Sequence, residues 1–327
     1  MFNYADSVKL PDVKLAVVKK LEMTTLTRTD ENVAFCWSLL PSEDDSTIHF
    51  VDYANNALKR VDLQNASDVH VVYRCESPAS LRAALFVQFG PQQKALLVVE
   101  RLPNATAQSM SHSLAVALCD AQTRWILLEF ARRRRFCWTS RQRVPLETAT
   151  CKLNYGHFVS IGAVHTNKVL CGVFNTSALE ALAVDATGTA RRLQPIRLGF
   201  AHLCFATGRS QDTELLVISL FRWTEVRLLQ VVDGESLSLQ LLRVIAFNGN
   251  RLLWRAGLLF AAEWNAQTES DEVSVWYVSG GGRRVERCGT PITHADNVRI
   301  NCWCAAGEKI ALWDVKSEKI LVYELKN

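Results

Sequence analysis

The chain is poor in the residues that interrupt or staple a fold. Of its 327 residues only 8 are proline and 15 glycine, which excludes collagen-like and low-complexity chains. Charge of neither sign dominates, since 37 Lys and Arg stand against 33 Asp and Glu for a formal net of +4. So small an excess argues against a dedicated nucleic-acid binder, although a local basic patch can still act. No apolar run approaches the roughly 20 residues that a membrane-spanning helix needs. The opening "MFNYADSVKLPDVK" has neither a basic start nor an apolar block, so no secretory signal is expected. Metal and nucleophile motifs are missing too. The ten cysteines contain no C-x-x-C pair, the seven histidines no H-x-x-x-H pair, and no G-x-S-x-G elbow occurs. Neither a metal site nor a cofactor is expected.

Most cysteines sit inside apolar runs such as "VAFCWSLL", "KVLCGVF" and "HLCFA", where a thiol acts as a small buried hydrophobe. Without a signal sequence the plain reading is reduced thiols inside the cell, in cytoplasm or nucleus.

What the chain does have is apolar residues, 49% of the total, arranged with the period of strands. The stretch "TIHFVDYANNALKRVDLQ", 47–64, reads as a hairpin. Two alternating runs flank an Ala-Asn-Asn turn, with Ile48 and Phe50 on one strand and Leu58, Val61 and Leu63 on the other. Similar runs recur along the whole length, and helical periodicity is not sustained beyond about two turns. Grouped in fours, they give blades of a β-propeller at about 31–76, 81–135, 155–197, 200–246 and 250–290.

The final group, 297–327, supplies only three strands, "VRINCWCA", "KIALWDV" and "KILVYELK". One strand is left over at the other end, "VKLAVVKK" at 13–20. An N-terminal strand that completes the last sheet closes a ring without a covalent bond and removes an open edge. The expected architecture is all-β: a single six-bladed propeller spanning 1–327. Seven blades would require a poorly patterned sheet near 131–155.

"IHFVDYANNALKRVDL" resembles the hairpin of YWTD and NHL propeller repeats, and "IALWDVKSEKILVYEL", 310–325, resembles the strand-turn-strand of WD-type blades, with Trp313 and Asp314 at the turn. The resemblance implies a propeller of diverged repeats serving as a rigid platform for proteins or peptides.

Two stretches stand out as partner-binding candidates. "ARRRRFCWTSRQR", 131–143, concentrates Arg132, Arg133, Arg134 and Arg135 around Phe136 and Trp138. Interleaved arginines and rings suit phosphate contacts with base stacking, and they suit an acidic protein equally. A solvated outer strand would show the same alternation. "LFRWTEV", 220–226, places Phe221, Arg222 and Trp223 in a turn between strands, where an exposed aromatic anchor would serve a partner. Most of the other tryptophans are expected to wedge between blades.

Six-bladed lactonases resemble this chain in blade number and hold an axial metal on Glu, Asn and Asp. Glu100, Asn175 and Glu263 are the comparable strand-end residues, and any sequence offers such a trio. The glycine-rich "SGGGRRVERCG", 279–289, lacks the Lys-Ser/Thr and helix of a phosphate loop, so it reads as a hairpin turn. The expected function is a non-enzymatic scaffold that binds a partner protein within an assembly. A nucleic-acid-binding propeller using 131–143 and a metal-dependent hydrolase are the alternatives.

Overall fold

The computed structural model describes residues 13–22, 36–40, 46–52, 55–65, 67–75, 80–89, 93–103, 110–120, 141–146, 159–165, 167–173, 176–184, 190–220, 224–247, 249–292 and 297–326; across 86–159 it describes only the course of the strands. Strand β1 is Lys14–Glu22. A first sheet then runs in chain order through β2 (Cys36–Leu40), β3 (Thr47–Asp52), β4 (Ala57–Asp62) and β5 (Val69–Arg74). The second sheet is β6 (Ser80–Phe89), β7 (Gln93–Pro103), β8 (Met110–Asp120) and β9 (Arg141–Leu146).

The third comprises β10 (Val159–Val164), β11 (Lys168–Val173), β12 (Ala178–Val184) and β13 (Ala190–Arg192), with the short β14 (Ile196–Arg197) also on β12. The fourth is β15 (His202–Ser210), β16 (Thr213–Leu220), β17 (Val226–Asp233) and β18 (Leu237–Ile245). The fifth is β19 (Arg251–Arg255), β20 (Leu258–Asn265), β21 (Ser270–Ser279) and β22 (Arg284–Arg287). The last holds β23 (Ile300–Ala306), β24 (Lys309–Asp314) and β25 (Lys319–Lys326), and β1 pairs antiparallel along β25 from Lys14↔Lys326 to Glu22↔Lys319.

The first strands of the sheets touch in a cycle. β2 meets β6, β6 meets β10, β10 meets β15, β15 meets β19, β19 meets β23, and β23 returns to β2. Sheets arranged radially in this way make the chain an all-β propeller.

Packing explains the sequence pattern. Second strands with described side chains lie between two neighbouring sheets and are largely buried on both faces, so β16 reads "TELLVISL" with six consecutive buried residues. Fourth strands face outward and alternate loosely, as β1 and β18 do. The core is therefore a set of layers between sheets. One layer joins Ile48, Phe50 and Val61 of the first sheet to Leu21, Trp313 and Ile320 of the last. Val51 and Leu58 turn the other way, against Leu81 and Ala84 of the second sheet. Trp254 wedges so tightly between the fourth and fifth sheets that a Cβ on Gly208 would lie 2.1 Å from its ring.

Two sequence expectations change in detail. The sequence pattern makes "RWILLEFA" at 124–131 the expected fourth strand of the second blade; the fourth strand of that sheet is Arg141–Leu146, and 124–131 lies outside the described residues. Lys59 and Arg60 leave the turn of the 47–64 hairpin, where the sequence leads at least one of them to be expected at solvent, and Arg60 is half-buried. Lys59 instead turns inward to Asp52 at 2.7 Å, both side chains being buried, because the carboxylate at the end of β3 would otherwise lie in the core without a counter-charge.

Candidate partner-binding surface

Turns between second and third strands, and the connections from one sheet to the next, share one end of the propeller. Asn56 in the first such turn receives the Leu81 N–H on its Oδ1 at 2.6 Å, which ties the turn to the start of the second sheet. The turns between first and second and between third and fourth strands occupy the opposite end. There Gly281 and Gly282 of 279–289 hold φ of 65° and 87°, and a Cβ would strike Thr213 and Leu242 of the fourth sheet. That segment leads into strand β22, as a hairpin turn should.

Three turns of the first end share one construction that the sequence hides. Each begins with a buried or half-buried Asp or Asn at the end of the second strand: Asp52, Asn265 and Asp314. Each side chain accepts backbone N–H groups two or three residues on, from Asn55, from Gln267 and Thr268, and from Lys316 and Ser317. The fourth residue after it adopts positive φ: Asn56 at 50°, Glu269 at 50° and Glu318 at 56°. An Asx side chain standing in for a turn carbonyl makes these loops self-supporting.

On this frame stands an aromatic-cation pair. Trp264, next to last in β20, is 39% exposed, and the Arg299 guanidinium lies 5.1 Å from its ring centroid. Arg299 itself is clamped. Its N–H donates to Asp314 Oδ1 at 2.8 Å and its carbonyl accepts from Val315 N at 2.9 Å. The next N–H, of Ile300, donates to buried Asp271 Oδ2 at 2.6 Å. Two buried carboxylates from adjacent sheets thus pin consecutive amides. The side chain that emerges over Trp264 starts from a fixed point.

The electrostatics beneath are consistent with a structural frame. Burial pushes the Asp271 carboxyl above its ordinary range, against the Ile300 N–H, Arg251 and Arg299, which pull it down. Glu263 is raised first by burial and then by Glu272. Arg251 donates to the Asn250 carbonyl at 2.8 Å and to the Asn301 carbonyl, bridging the starts of β19 and β23. Thiols are held protonated: burial pushes Cys171 to about 12 and Cys204 to about 11. Among the described residues no three His, Cys, Asp or Glu side chains converge as metal ligands.

Arg132, Arg133, Arg134, Arg135, Phe136 and Trp138 lie outside the described residues, as do Phe221, Arg222 and Trp223. Their described flanks are informative. Asp120 and Arg141 end a third strand and begin a fourth, whereas Leu220 and Val226 flank a second-to-third-strand turn. The two segments therefore attach at opposite ends of the propeller, and 221–223 attaches at the end that carries Trp264. Of the lactonase-like trio, Glu263 lies in β20, Glu100 in β7, and Asn175 outside the described residues.

Among the other tryptophans with described side chains, Trp303 and Trp313 are buried and Trp254 and Trp276 half-buried. They are wedges, as the sequence suggests. Arg299 carried no sequence signal, since 35 residues separate it from the ring it covers.

No family model and no curated protein matches the chain. Solved structures do. The Swd1 β-propeller domain of Myceliophteria thermophila superposes with a TM-score of 0.54 at 10% identity, covering 96% of this chain and all of that one. A chain of a mitotic checkpoint complex gives 0.54 at 9% identity over the full length of both. A candidate 6-phosphogluconolactonase from Bacteroides uniformis gives 0.52 at 13% identity, covering 88% and 80%. A propeller domain, a chain of a protein complex and a candidate enzyme match alike, and at such identities the likeness is one of fold.

Proposed function

We propose that this β-propeller is a non-enzymatic scaffold that binds a partner protein as a subunit of an assembly. The observation that carries the reading is the Trp264–Arg299 pair, an exposed ring and cation on a clamped frame at one end of the molecule. Tryptophan and arginine are the residues most enriched where binding energy concentrates, and a frame ordered beforehand lowers the entropic cost of docking. The segment 221–223 attaches at the same end and extends the proposed surface. Arg132–Arg135 with Phe136 and Trp138, attached at the other end, form a separate proposed contact for an acidic protein. The proposed ring has six blades, closed by β1 as the outer strand of the last sheet. Support comes from the cycle of first-strand contacts and from the β1–β25 register.

Affinity purification of the tagged protein followed by mass spectrometry tests the reading, with Trp264→Ala and Arg299→Glu run beside wild type. Loss of the same specific partner from both variants, at unchanged melting temperature, is expected. Identical partner recovery from all three proteins would exclude this surface.

A further inference from the structure

We infer that the outer edge of β18 is a second docking site, which takes an extended, acidic and apolar segment of a partner protein by strand addition. β18 is the last strand of its sheet, and among the described residues nothing pairs with its far edge. An unpaired edge presents a row of backbone donors and acceptors to any extended chain. Native edges are usually blunted by shortness, burial or lysines, and the other outer strands with described side chains show these devices. β13 has three residues and β22 four. β5 is mostly buried or half-buried. On β1 the exposed Val17 and Val18 stand between the exposed Lys14 and Lys20.

β18 is neither short nor buried along its middle nor lysine-bearing, and its one irregularity is a register shift at Leu242 against β17. Its nine residues, "LSLQLLRVI", expose Leu241 at 51% and Val244 at 47%, and contain no lysine, proline or acidic residue. Both ends are anchored, by Leu237 and Ile245 in the layers on either side of the fourth sheet. The strand is therefore held in place while its middle stays open.

Charge selects the occupant. Arg243 is the one charged residue of the strand and is exposed. β14, paired with β12 of the third sheet, packs near β18 and carries the exposed Arg197. An incoming strand that places apolar side chains beside Leu241 and Val244 and a carboxylate beside Arg243 satisfies both features. A basic segment would meet like charge.

The probe is a fluorescein-labelled twelve-residue peptide of alternating valine and glutamate, titrated into the full-length protein and followed by anisotropy. Amide hydrogen exchange locates the contact. Saturable binding with protection concentrated in 237–245 is expected, with at least tenfold weaker binding of the lysine-for-glutamate peptide. Leu241→Lys and Arg243→Glu, both at exposed positions, should each weaken binding at least fivefold without lowering the melting temperature. Trp264→Ala should leave it unchanged, which separates this site from the proposed one at the end of the propeller.

The inference is overturned by the absence of saturable binding, by protection that maps elsewhere, or by variants that bind as wild type does. Concentration-dependent dimerisation that protects 237–245 without peptide would equally overturn it, because the occupant would then be a second copy of the chain.

Discussion

Phe50 shows how one side chain reports on the packing of two sheets. It is 0% exposed and lies in the layer with Trp313 and Ile320 of the last sheet. Phe50→Ala should cost about 3–5 kcal/mol, read as a lowered urea midpoint. In the turn that follows, Asn56 has φ 50° and accepts the Leu81 N–H. Asn56→Ala strains that conformation and strands a backbone donor, so a loss of about 1–3 kcal/mol is expected. Asn56→Gly should recover the backbone share only, and equal midpoints for Asn56→Ala and wild type would refute the account.

His202 is a second residue with a measurable signature. Its ring is fully buried, with Nδ1 2.7 Å from the Thr176 carbonyl. Burial lowers its pKa from the ordinary 6.5, outweighing that contact. The folded protein therefore refuses a proton that the unfolded chain accepts. Stability from this group is complete above the unfolded value and is lost as pH falls below it. Melting temperature, followed between about pH 8 and pH 5, should fall less steeply for His202→Gln than for wild type. Parallel curves would show that the ring does not titrate differently on folding.

At the scale of elements, the turns after second strands are the repeating unit. Asp314 binds the N–H groups of Lys316 and Ser317 within its own turn and that of Arg299 from the adjoining connection. Removing it strands a clamped amide as well as loosening the loop. Asp314→Ala should cost about 2–3 kcal/mol in chemical denaturation, and Asp314→Asn about half of that. The alanine variant should also release Arg299, so tryptophan fluorescence of Trp264 is expected to shift toward that of a more solvated ring. An unchanged spectrum beside a large stability loss would separate the two roles of this carboxylate.

For the whole molecule, the decisive feature is how the ends of the chain meet. β1 covers the edge of β25, whose Ile320, Leu321, Val322 and Tyr323 are buried. Deleting residues 1–22 uncovers that edge and removes Leu21 from the layer shared by the first and last sheets. Aggregation or a sharply lowered melting temperature is expected, measured by size-exclusion chromatography and thermal unfolding. A truncated protein that remains monomeric with wild-type stability would refute closure by this strand.

Alternating and continuous apolar runs determined the all-β propeller and most of its described strands, because side-chain period and turn chemistry are local properties of the chain. The hairpin at 47–64, the wedge role of Trp254, Trp276, Trp303 and Trp313, the burial of Cys75, Cys171, Cys288 and Cys304 and the three-strand final group were all legible for that reason. The fourth strand of the second sheet was not. "RWILLEFA" is the more apolar segment, but pairing with β8 belongs to Arg141–Leu146, and pairing is decided across chains of residues that are distant in sequence. Which of Lys59 and Arg60 turns inward was not legible either, because Lys59 beside a turn looks solvent-facing until Asp52 is placed in the core. Only the tertiary structure could bring Arg299 over Trp264 or leave the far edge of β18 without a partner among the described residues. Each depends on what neighbouring sheets cover and leave bare, and a sequence records the residues at an interface without recording which faces meet.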